Sequence, residues 1–133
     1  MRISSELVDQ IVAHALEDRP NECCGMVGGR DGEATTIYRA RNAFESPMRY
    51  TVDERDLFRI TQREIPDAGE ELVGIYHSHP NSEAYPSQTD INLAENWPDP
   101  LYLICSLADA DNPVLRAFAI RDGAVEEVEL AVG

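Results

Sequence analysis

Residues 76–90 read YHSHPNSEAYPSQTD, from Tyr76 through His77, His79, Pro80 and Ser87 to Asp90. They follow a compact apolar run, residues 72–76 (LVGIY), whose β-branched and aromatic content predicts a buried strand. On a strand, side chains i and i+2 share a face, so His77 and His79 aim at one point and Ser78 turns away. Pro80 denies the strand a further ladder donor and ends it. Pro86 then leads into a helix start, with Ser87 and Asp90 three residues apart. Two imidazoles and one carboxylate suit zinc, with the fourth position left to water. The same residues also read as a cap, the Ser87 hydroxyl to a backbone N–H and the Asp90 carboxylate back again. One hydroxyl is then asked to serve both purposes.

A metal with an open position needs a group that moves protons, and a carboxylate does this well. Glu22 is the candidate, because it precedes a short apolar strand and so sits at a sheet end, as the histidines do. Spacing alone does not select it among 25 acidic residues.

Outward from this segment, the apolar pattern predicts three helices. Residues 4–18 carry Leu7, Val8, Ile11, Val12, Ala15 and Leu16 at intervals of three and four, with Ser4 or Ser5 as cap and Pro20 as stop. His14 falls outside that stripe and reads as a solvated surface residue. Asp53 caps a second helix to about residue 64, which Pro66 and Gly69 end, and residues 87–97 make a third. Strands are expected at 23–27, 34–40, 72–76, 101–107 and 114–120. A brief one is expected at 50–52, and a closing edge near Val125, Val128 and Leu130. Asp31-Gly32 and Asp122-Gly123 mark tight turns, and residues 42–47 a loop. Six or seven strands with about three helices, in no strict βαβ alternation, indicate an α+β fold with a mixed sheet.

At 133 residues the chain is expected to be a single domain, 1–133, burying roughly two-thirds of its unfolded surface. The formal charge of −14 repels a phosphate backbone, which excludes nucleic acid as a natural partner. No apolar window approaches a membrane span, and the amphipathic N-terminus is unlike a signal peptide, so a cytoplasmic location is expected. Cys23, Cys24 and Cys105 lack the spacing of thiolate metal sites and read as reduced core thiols. All 11 basic residues are arginine, a bias that a GC-rich genome or a saline cytoplasm explains. An enzyme handling amine conjugates would also gain by offering no amine of its own.

Glu22, His77-Ser78-His79-Pro80 and Ser87-Gln88-Thr89-Asp90 together match the signature of the JAMM (MPN+) metallopeptidases, and Glu22-Cys23-Cys24-Gly25 resembles the Glu-x-Cys-Gly of small prokaryotic members. The resemblance implies a JAMM/MPN fold related to that of cytidine deaminases, and a zinc-dependent hydrolase of peptide or isopeptide bonds. His77, His79 and Asp90 would then be zinc ligands, Glu22 the general acid/base and Ser87 the oxyanion donor. The implied partner is a ubiquitin-like or sulfur-carrier protein ending in Gly-Gly. Residues 83–94 are similar to bacterial members that release cysteine from such a carrier, and to archaeal members that remove ubiquitin-like modifiers from lysines. Two readings of other classes stand beside this one. A zinc deaminase would need His-x-Glu and Pro-Cys-x-x-Cys motifs that are missing here. A metal-free binding module would be expected to have lost ligands, and none is lost.

Overall fold

The computed structural model describes residues 1–133. Its strands are β1 (Arg2–Ile3), β2 (Cys24–Arg30), β3 (Glu33–Ala40), β4 (Glu71–His79), β5 (Leu101–Ser106), β6 (Val114–Arg121), β7 (Ala124–Val128) and β8 (Ala131–Val132). They form one mixed sheet in the order β7-β6-β5-β4-β2-β3-β1-β8. The helices are α1 (Ser5–Asp18), α2 (Glu54–Arg59), α3 (Ile65–Asp67) and α4 (Gln88–Leu93). The α+β class holds, with eight strands rather than six or seven. The additional edge pairing joins β1 and β8, two residues each and too short to carry a periodic pattern.

Local chemistry accounts for most boundaries. Ser4 Oγ accepts from the Leu7 N–H at 3.2 Å and starts α1, which buries Leu7, Ile11 and Ala15. Asp31-Gly32 and Asp122-Gly123 both adopt positive φ, the condition for tight hairpins joining β2 to β3 and β6 to β7. Asp53 caps α2 by accepting from the Arg55 and Asp56 N–H groups.

Three expectations need correction. His14 is buried, not solvated: its Nδ1 lies 2.7 Å from the Tyr76 hydroxyl and its Nε2 3.3 Å from Asp18. A polar residue outside the apolar stripe was drawn inward because Tyr76, fully buried, needed a partner for its hydroxyl. Residues 50–52 form no strand; a single bridge joins Asn42 to Val52. The second helix does not stop before Pro66. It passes through a π-helical turn, Ile60–Glu64, in which the Ile65 N–H reaches back five residues to the Ile60 carbonyl, and continues into α3 across Pro66.

The sheet separates two apolar layers. On one face α1 packs over Cys23, Val27, Tyr76, Leu103 and Cys105. On the other, Cys24, Met26, Ala40, Tyr50, Ile60 and Ile65 form one cluster, and Ile75, Tyr102, Ile104 and Phe118 another. Cys23 and Cys24 therefore point to opposite faces, and all three thiols are free and buried. Strand β4 lies between β2, antiparallel, and β5, parallel. A parallel neighbour demands a crossover, and the loop and α4 that supply it return over the C-terminal end of β4.

Candidate metal centre

His77 and His79 close β4 on the face opposite α1, fully buried and 5 % exposed respectively. Their Nε2 atoms are 3.1 Å apart, and each approaches Asp90 Oδ2, at 3.1 Å from His77 and 3.0 Å from His79. Four-coordinate zinc, with bonds of about 2.0–2.1 Å, spaces its ligand atoms by roughly 3.3 Å. The three atoms thus already stand close to the edge lengths of such a site, and no other group of His, Cys, Asp or Glu in the chain converges in this way.

The tautomer supports the same reading. His79 Nδ1 donates to the Glu83 carbonyl at 2.8 Å, which turns the lone pair of Nε2 toward Asp90. A lone pair facing a carboxylate oxygen is repulsive unless a cation or a proton lies between them. His77 is held differently: its ring stacks on Tyr50 at 4.3 Å between centroids and 20° between planes, while its Nδ1 has no hydrogen-bond partner.

Asp90 reaches the histidines because it belongs to the helix cap. Its Oδ2 accepts from the Ser87 N–H at 2.9 Å, and Ser87 Oγ accepts from the Asp90 N–H at 3.1 Å. The two readings of Ser87 and Asp90 are therefore compatible. The cap uses Ser87 only as an acceptor and leaves its O–H free to donate, on a residue open to solvent.

Glu22 arrives through strand register. Cys24 pairs with His77, so two residues further back Glu22 lies opposite His79. Ser78 tightens this end of the ladder: its Oγ accepts from the Cys23 N–H at 2.8 Å, and its N–H donates to the Cys23 carbonyl at 3.1 Å. Glu22 is 4 % exposed and its Oε1 has no partner. Burial pushes its carboxyl up to about 8; His79 opposes that rise and Asp90 adds to it. For Asp90, burial also acts upward, but the bonds to His77 and His79 outweigh it and hold the carboxyl far below the usual range. Burial lowers the His77 imidazole. His79 moves up despite burial, through its contacts with Asp90 and the Glu83 carbonyl.

Sequence reasoning missed two neighbours. Asn42 donates to the Glu22 carbonyl at 3.1 Å and the Arg49 carbonyl at 3.0 Å, and accepts from Phe44 and Thr51 N–H groups. It reads in sequence only as a loop residue, and nothing local announces the bond to the Glu22 carbonyl 20 positions away. Tyr50, expected in a strand, is instead the platform under His77. Gly25 has a reason as well, since a β-carbon there would overlap the Tyr76 ring.

Comparison with known proteins identifies the family. The family described as prokaryotic homologs of the JAB domain matches residues 4–121. The CysO-cysteine peptidase of Mycobacterium tuberculosis is 41 % identical over 127 residues, covering 94 % of this chain and 86 % of the relative. A desampylase of Haloferax volcanii is 38 % identical over 114 residues, 80 % of each chain. A protein from Desulfitobacterium hafniense, solved in solution, superposes with a TM-score of 0.89 at 33 % identity, over 99 % of this chain and 92 % of that one. The chain is a hydrolase of the JAB (JAMM/MPN) family, belonging to its small prokaryotic branch.

Proposed function

We propose that this protein is a zinc-dependent hydrolase that cuts the amide bond after the C-terminal glycine of a ubiquitin-like or sulfur-carrier protein. The observation that carries the reading is the convergence of His77, His79 and Asp90 on one point, with the buried, unpartnered carboxyl of Glu22 beside it. His77 Nε2, His79 Nε2 and Asp90 Oδ2 would hold the metal. Zinc bound there supplies Lewis acidity and a water whose pKa is lowered toward about 7.

The remaining work falls to the chain. Glu22 takes a proton from the attacking water and delivers it to the departing nitrogen, a task that needs a carboxyl titrating near neutral pH. Ser87 donates its free O–H to the oxygen on which charge develops, an interaction realised only in the transition state. The Glu83 carbonyl and the Tyr50 ring keep the two imidazoles in place. The relatives' names supply the substrate class: one acts on CysO-cysteine, another is a desampylase. Release of cysteine from a carrier is the first reading and removal of a ubiquitin-like modifier from lysine the second.

Glu22→Gln tests the proposal. The variant should keep stoichiometric zinc by elemental analysis and lose roughly 10²–10⁴-fold in cleavage of a carrier-glycine amide. Unchanged turnover would remove Glu22 from the mechanism. Wild-type protein purified without chelator and found free of zinc would favour a binding module instead.

A further inference from the structure

Strand β4 delivers His77 and His79, but the group that sets the His79 tautomer, the Glu83 carbonyl, belongs to the loop that follows. Residues 80–87 form neither helix nor strand. A loop carbonyl orients an imidazole only as firmly as the loop itself is held. Beyond Glu83 the loop is fastened by packing. Ala84 is buried in the cluster that contains Ile104 and Phe118, and Tyr85 meets the Phe118 ring edge-on at 5.5 Å between centroids. Before Glu83 the anchor is a hydrogen bond, in which Ser106 Oγ donates to the Ser82 carbonyl at 2.6 Å.

Ser106 closes β5 and is buried. The parallel register pairs it with His79, so the two side chains leave the sheet on the same face. Its oxygen accepts from the Ala108 N–H at 3.2 Å, an ordinary way to finish a strand. That turn needs only the oxygen. The hydrogen is spent on a carbonyl 24 positions earlier in the chain. Peptide planes are rigid, so only the φ and ψ of Glu83 separate the Ser82 carbonyl from the Glu83 carbonyl. Fixing the first confines the second.

Resting on the reading of a zinc centre, we propose that Ser106 is a positioning residue of that centre. Its hydroxyl holds the backbone at Ser82 and Glu83, the Glu83 carbonyl then keeps the proton of His79 on Nδ1, and the Nε2 lone pair stays aimed at the metal. Ser106 touches neither the ion nor the substrate. Without the hydroxyl, the carbonyl of Ser82, an exposed residue, can turn to water instead. The Glu83 carbonyl loses its fixed direction, and the His79 ring is released to rotate or to change tautomer. Losing the outer partner of a metal-binding histidine typically costs about 10–100-fold in metal affinity. A single neutral hydrogen bond contributes little enough to folding that the variant remains folded.

The experiment measures zinc affinity of the full chain by competition with a chromophoric chelator, and follows the His79 Nδ1–H of the zinc-loaded protein in proton–nitrogen spectra. Ser106→Ala should bind zinc at least about 10-fold more weakly than wild type. Its His79 Nδ1–H, slow to exchange with water in wild type, should broaden or vanish. Ser106→Thr, which restores the hydroxyl, should recover both. Wild-type zinc affinity in Ser106→Ala, whatever its Tm, overturns the inference and leaves Ser106 as the end of a strand. Weaker zinc with an unaltered imidazole proton also overturns it, because the hydroxyl would then act by another route, and so does an equal loss in the Ala and Thr variants. In each of these cases the zinc centre stands. Wild type that binds no zinc overturns both.

Discussion

Glu22 and Asp90 both feel His79, yet their carboxyls move in opposite directions, upward through burial for one and downward through hydrogen bonds for the other. Such a split assigns tasks: the low carboxyl stays an anion that can bind a cation, and the high one can exchange a proton near neutral pH. Neither state is a property of the residue type. Asn42 belongs to the same scale, because it clamps the Glu22 backbone to the loop that carries Tyr50. Asn42→Ala should lower kcat by roughly 10²-fold through misplacement of Glu22, with zinc content and KM little changed. Parallel falls in zinc and in kcat would mean that the loop merely holds the metal site together.

Among the elements, α4 is short and depends on its cap. Ser87→Ala removes the acceptor for the Asp90 N–H and should cost about 1 kcal/mol of stability, read by thermal denaturation. If the free O–H also serves the oxyanion, activity at a temperature where the variant is folded should fall by about 10²–10³-fold, far more than the stability loss accounts for. A drop in stability with full activity would leave Ser87 as a cap alone. The end of α3 is tied to β3 by a different device. Glu70, buried, accepts from Thr35, Thr36 and Tyr38 hydroxyls, while its N–H donates to the Ile65 carbonyl. Burial acts to raise the Glu70 carboxyl, but these hydroxyl donors outweigh it and the net shift is downward from 4.5. Because the folded value lies below the unfolded one, this stabilisation is complete above about pH 4.5 and is lost as pH falls through the folded value. Acid unfolding of the metal-free protein should therefore flatten over that range in Glu70→Gln, and an unaltered pH–Tm curve would dismiss the clamp.

For the whole molecule, the candidate centre takes its three donor atoms from the end of β4 and from α4, so an ion bound there would tie the helix and its loop to the sheet. A ligand that binds only the folded state adds about 4 kcal/mol when its free concentration is 1,000-fold above Kd. Zinc should raise Tm and a chelator should lower it, and His77→Ala/His79→Ala should respond to neither. Equal zinc-induced shifts in wild type and that variant would place the ion elsewhere.

Much of this was legible in the chain itself. Period-two spacing put His77 and His79 on one face; Asp-Gly pairs marked two hairpins; Ser4, Asp53 and Ser87 announced helix starts. Each of these is a local rule, acting over a few residues, and such rules are written in sequence. The residues that escaped have long-range causes. His14 is inside because Tyr76, 62 positions away, needs a hydroxyl partner. Asn42 matters because Glu22 passes beside it, and Tyr50 left its expected strand to lie under His77. Glu22 belongs to both accounts. The family signature selected it from 25 acidic residues, but only the pairing of β2 with β4 sets it opposite His79. Burial there, with Asp90 adding to it, lifts its carboxyl to about 8. Sequence alone determined which donor atoms the chain possesses and how neighbouring ones are spaced. The tertiary structure decided which of them share one low-dielectric space, because pairing and desolvation depend on partners that sequence distance does not encode.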